Sequence, residues 1–69
     1  MRQWLAEYRQ NRNMTHEEVA TKCGITRQFY SMIEIGERTP SVPTAKKIAS
    51  VLGFDWVQFY NDEPKAANR

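Results

Sequence analysis

Gly24 stands between two stretches of helical spacing, and that joint limits the folds open to this chain more than any other feature. The segment reads HEEVATKCGITRQFYSMIEI over residues 16–35. Ahead of it, Thr15 and Glu18 form the T-x-x-E pattern of a capping box, so a helix is expected to start there. Val19, Ala20 and Cys23 share its inner face, and Ala20 is small where two helices must approach closely. Gly24 takes positive φ at little steric cost and ends the helix. Ile25 follows as an apolar plug in the turn, and Thr26 caps a third helix, expected over 27–35 and ended by Gly36. Val19, Cys23, Ile25, Tyr30 and Ile33 are expected to point inward, leaving Arg27, Gln28, Ser31 and Met32 outward. Two helices held at a wide angle by a short glycine turn are the result.

The flanks carry the same periodicity, with no sustained strand-like alternation. Met1, Leu5, Tyr8 and Arg12 share a stripe with Trp4 beside it, so residues 2–12 read as an amphipathic helix. Asn13 follows as a left-handed cap. Ser41 is expected to cap a fourth helix, with Pro43 harmless in its first turn. Val42, Ala45, Ile48, Ala49 and Leu52 repeat at helical spacing before Gly53 closes it. Asp55 opens a short fifth helix carrying Trp56, Phe59 and Tyr60. The expected fold class is all-α, a bundle of about five short helices over residues 1–61. The polar segment 62–69, DEPKAANR, is expected to be a flexible tail.

Length allows one small domain, since 69 residues can bury only about 60% of their unfolded surface. Eight aromatics are too many for a disordered chain. A single cysteine, Cys23, excludes an intramolecular disulfide framework and a multi-cysteine metal site, and it suits a reducing cytosol. No apolar run approaches the roughly 20 residues of a membrane span. MRQWLAEYRQ is charged where a signal peptide needs an apolar stretch. A cytoplasmic protein with no membrane association is expected, and Met1 reads as a native start. Residues 1–47 carry eight Lys or Arg against five acids, whereas residues 48–69 carry two against three. A basic body with a slightly acidic end suits a small nucleic-acid binder. Solvated helix faces account for the same totals.

Several fragments in register resemble the phage repressor and Cro-type helix-turn-helix domains, the XRE-like family of transcription regulators. They are L-x-x-Y-R (Leu5 to Arg9), M-T-H-E-E-V-A (Met14 to Ala20), K-C-G-I-T-R (Lys22 to Arg27), I-E-x-G-x-R-x-P-S (Ile33 to Ser41) and A-K-K-I-A-x-x-L-G (Ala45 to Gly53). Each fragment alone is weak; their order and spacing carry the resemblance, which spans roughly Leu5 to Tyr60.

The resemblance implies a lambda-repressor-like DNA-binding domain and a sequence-specific regulator of transcription, a repressor. Residues 27–35 match the recognition helix, which lies in the major groove. Arg27 and Gln28 fall at its exposed start, with Ser31 and Met32 one turn on, as base-contacting candidates. Arg can bond guanine bidentately, Gln can bond adenine, and an apolar side chain can touch a thymine methyl. Thr15 and His16 match the family's phosphate clamp, where His16 replaces the usual glutamine; Thr26, Arg38 and Thr39 complete the backbone-contacting candidates. Arg9 and Glu34 match a buried structural ion pair. Trp56, Phe59 and Tyr60 match the end of the domain that often pairs two protomers; the alternative is that Trp56 and Phe59 simply cap the core. The partners implied are double-stranded DNA carrying an inverted-repeat operator, a second copy as homodimer, and a protein antagonist. Tyr30 departs from the pattern, occupying an inward position that usually holds Val or Ile, and Phe29 is large where the family is small or polar.

Two other classes compete. A protein-interaction module of the same fold, of the antitoxin or antirepressor-binding type, would pass through random duplex DNA at low salt, whereas a DNA binder is retained. An enzyme would need a phosphate loop, a metal cluster or a nucleophile–base pair, and no such motif is present. No cofactor is expected. His16, the only histidine, lacks a second protein ligand in the sequence, which argues against a metal role.

Overall fold

The computed structural model describes residues 1–61; the tail expected over 62–69 lies outside the described residues. Five helices follow in order: α1 (Gln3–Asn11), α2 (His16–Cys23), α3 (Arg27–Ile35), α4 (Val42–Leu52) and α5 (Gln58–Asn61). There is no strand among the described residues.

Local chemistry sets the boundaries. The Thr15 hydroxyl accepts from the Glu18 amide at 3.1 Å and the Glu18 carboxylate accepts from the Thr15 amide at 2.8 Å, closing the capping box. At the other end of α2, Gly24 adopts φ +72°. The Ile25 amide then reaches back to the Ala20 carbonyl at 3.0 Å and the Gly24 amide to Thr21 at 3.2 Å. This reciprocal closure satisfies carbonyls that the helix leaves open, and it needs the left-handed residue that only glycine adopts cheaply. Thr26 then caps α3, its hydroxyl accepting from the Phe29 amide at 3.0 Å.

Three boundaries differ from expectation. Met1 stays outside α1 and is 75% exposed, so the stripe begins at Leu5 instead. Ser41 precedes α4 but makes no side-chain cap; its hydroxyl donates to the Thr44 hydroxyl instead. Asp55 opens a turn and not a helix. Its carboxylate accepts from the Val57 amide, and α5 begins only at Gln58, which leaves Trp56 in the turn.

α2 lies at the centre, packing against both α3 and α4, while α1 crosses α3. Leu5, Val19, Ala20, Cys23, Tyr30, Ile33, Ala45, Ile48, Leu52 and Phe59 form one buried cluster. Cys23 is a buried thiol, pushed up from its ordinary value by loss of solvent, and behaves as a small apolar side chain. Ile25 and Phe29 are half-buried against this core, so Phe29 folds back onto the domain. Phe59 is wholly buried and meets Trp4 edge-on at 5.2 Å and Phe54 at 5.6 Å.

Candidate nucleic-acid interface

α3 presents its first turn to solvent. Arg27 and Gln28 are exposed; Ser31 and Met32, one turn on, are half-buried. Arg27 also lines a shallow concavity with Arg9, Met14, Thr15, His16 and Glu17, so the starts of α2 and α3 converge there. The first amides of α2 have no intrahelical acceptor and give that end partial positive charge. Glu17 opposes it with a carboxylate on the same rim. Thr26, Arg38 and Thr39 are exposed in the segments that flank α3.

Beneath this surface lies a polar cluster centred on Glu34, whose side chain is 4% exposed. Its two oxygens accept from Arg9 Nε at 2.9 Å and Nη2 at 3.2 Å. They also accept from the Tyr30 hydroxyl at 2.9 Å, and one lies 2.8 Å from His16 Nε2. Arg9 donates further to the Met14 carbonyl at 3.0 Å, fixing the α1–α2 loop. Burial alone would push the Glu34 carboxyl up, but the hydrogen bonds from Arg9, His16 and Tyr30 outweigh it and hold the group below the ordinary carboxylate range. The same Arg9–Glu34 bond raises the guanidinium further above its usual value. Burial, then the neighbouring carboxylate, push the Tyr30 hydroxyl far up, so it remains a donor.

Tyr30 and His16 are both departures from the family pattern, and here they meet on one carboxylate. The Tyr30 ring fills the core while its hydroxyl reaches Glu34. His16 is not a free phosphate donor: Nε2 faces Glu34 and Nδ1 lies 3.1 Å from the Ser31 hydroxyl. Here His16 links α2 to α3, and the expected phosphate contact would require the ring to give up one of these two bonds.

Arg2 is a residue the sequence gives no local signal for. Although 5% exposed, it donates through Nη1 to the Ile33 carbonyl at 2.6 Å and to the Arg38 carbonyl at 3.0 Å. Its Nη2 lies 3.4 Å from the Thr39 hydroxyl, and its amide donates to the Glu34 carbonyl at 2.8 Å. A cation at the carboxyl end of α3 complements the helix dipole and holds the loop that carries Arg38 and Thr39.

The aromatic end divides differently from expectation. Phe59 has no exposed surface, because α5 turns its ring inward against Trp4 and Phe54. A side chain with nothing exposed offers nothing to a partner, so Phe59 is removed from the expected dimer face. Trp56 and Tyr60 are half-buried and meet edge-on at 5.9 Å. Lys46 lies over the Trp56 ring at 5.2 Å, and the Tyr60 hydroxyl donates to the Pro40 carbonyl at 2.9 Å. Val42 and Val57, 42% and 38% exposed, add apolar surface that neither charge nor aromatic content announces. Among the described residues no helix is long and apolar enough to cross a membrane.

The profile of the helix-turn-helix family matches residues 5–59. An uncharacterized HTH-type transcriptional regulator of Bacillus subtilis, YqaF, is 50% identical over 62 residues, covering 90% of this chain and 82% of its own length. One from Methanothermobacter thermautotrophicus is 37% identical over 68 residues, covering 96% and 99%. A third, MJ0272 of Methanocaldococcus jannaschii, is 42% identical over 65 residues, covering 91% and 98%. No solved structure matches the chain. The two-helix joint, the capped start of α3 and the match along most of the chain agree: the protein belongs to the Cro/C1-type helix-turn-helix family of transcription regulators.

Proposed function

We propose that this protein is a cytoplasmic, sequence-specific repressor that binds duplex DNA with α3 in the major groove. The observation that carries the reading is the exposure of Arg27 and Gln28 at the start of α3, beside the amino end of α2. Arg27 and Gln28 then read base edges, with Ser31 and Met32 one turn deeper, while Thr15, Thr26, Arg38 and Thr39 hold the sugar-phosphate backbone. Selection from a random duplex library tests this. Arg27→Ala or Gln28→Ala is expected to relax preference at one base pair each, by about 1–3 kcal/mol of discrimination. Arg38→Ala is expected to weaken binding to all duplexes alike and flatten the salt dependence by roughly one unit of slope. Unchanged preference in both variants would mean that Arg27 and Gln28 do not read bases.

Pairing of two protomers is proposed through Trp56, Tyr60 and the neighbouring Val57 and Val42. Two-fold symmetry would make the contact isologous, and the operator an inverted repeat with half-site centres about 34–36 Å apart. Sedimentation with and without operator is expected to show a dimer that DNA strengthens and Trp56→Ala weakens. A strict monomer saturating a single asymmetric site would refute the pairing. A protein antagonist could use the same apolar edge; in that case, Val57→Lys would abolish antagonism without touching DNA affinity of the monomer.

A further inference from the structure

Ser31 and His16 form a contact whose polarity can be worked out. His16 Nε2 lies 2.8 Å from a Glu34 oxygen. An ionised carboxylate only accepts hydrogen bonds, so Nε2 must carry the hydrogen. A neutral imidazole has one N–H, and Nδ1 is left with a bare lone pair. That lone pair faces the Ser31 hydroxyl at 3.1 Å. The hydroxyl has one hydrogen and directs it at Nδ1, so what remains outside is its lone pairs.

We infer that His16 is a positioning residue that fixes Ser31 as an acceptor toward DNA, so that Ser31 selects a base bearing an amino group, adenine or cytosine, over guanine or thymine. This rests on α3 lying in the major groove as proposed above. There, adenine N6 and cytosine N4 are donors, while guanine N7 and O6 and thymine O4 are acceptors. An untethered serine can serve either, because its hydroxyl rotates to suit. The tether removes that freedom.

Two measurements on the intact chain test the inference. Ring-nitrogen NMR of the free protein at neutral pH is expected to place the His16 hydrogen on Nε2 and none on Nδ1. Library selection is expected to show a preference of about fivefold for adenine or cytosine at one base pair. Ser31→Ala should erase it at that pair alone. His16→Phe, which keeps a ring against Tyr30, should widen it to guanine and thymine. A hydrogen on Nδ1 at neutral pH, with duplex selection intact, would overturn the inference and leave the DNA reading standing. So would a preference that Ser31→Ala erases but His16→Phe does not alter. Absence of any duplex selection, with the hydrogen on Nε2, would refute the DNA reading and the inference with it.

Discussion

Replacement of Glu34 by alanine is expected to remove about 3–5 kcal/mol of folding free energy, the scale for stranding the partners of a buried ion pair. A domain of this length is stable by only about 3–10 kcal/mol, so much of the population should unfold at room temperature. The loss is large because four donor contacts converge on this carboxylate. Arg9, Tyr30 and His16 all lose their acceptor together, and the Tyr30 hydroxyl lies too deep for water to replace it. Urea denaturation followed by tryptophan fluorescence measures the effect. A double change, Arg9→Met with Glu34→Met, should recover part of the loss but not all of it, since Tyr30 and His16 remain unsatisfied. The pH dependence follows the same site. Glu34 is held below its ordinary value of 4.5, so the folded state binds its proton less readily than the unfolded state does. Its contribution is therefore full above the ordinary carboxylate range and is lost as pH falls through the lower, folded value. A Glu34→Ala chain that keeps its wild-type urea midpoint would show that the cluster holds nothing together.

Phe59→Ala is expected to cost about 3–5 kcal/mol, through lost burial and the cavity left behind. Phe59→Leu, which refills most of the space, should cost less than about 1.5 kcal/mol. Trp56→Ala, at a half-exposed turn position, should cost far less than Phe59→Ala while reducing dimerisation. The pair separates core packing from the proposed pairing of protomers. Equal destabilisation by both changes would mean that Trp56 is as much a core residue as Phe59.

That division shows where a linear reading stops. The α2–α3 joint was legible because its determinants are local: Thr15 and Glu18 three residues apart, Gly24 at the turn, Thr26 before the next helix. The aromatic end was not, because the spacing of Trp56 and Phe59 has meaning only if both lie on one helix. Asp55 is as good a turn former as a helix cap, and the turn places Trp56 before α5 begins. The Glu34 cluster was half legible. Arg9 and Glu34 came through the resemblance, but His16 reaches Glu34 across 18 positions and only the crossing of α2 and α3 brings them together. Arg2 was illegible altogether: a basic residue before a helix ordinarily means solvent, and nothing nearby in sequence indicates that its partners lie at 33, 38 and 39.

Arg2 also fixes an order of assembly. Its guanidinium stands over the ring of Phe59, 5.5 Å from the centroid, so the carboxyl end of α3 is sealed by a residue made early and roofed by one made late. Arg12, bonded to the Leu52 carbonyl, adds a second early-to-late tie. A ribosome adding about 5–20 residues per second leaves the nascent chain for about 1–5 seconds with α2 and α3 synthesised but without the element that closes over them. During that interval α3 exists only as a sequence with helical tendency. Folding, and with it any competence to occupy an operator, should therefore arrive in one cooperative step after residue 59 is free, so that ribosome-tethered chains ending before α5 remain protease-sensitive and silent toward DNA.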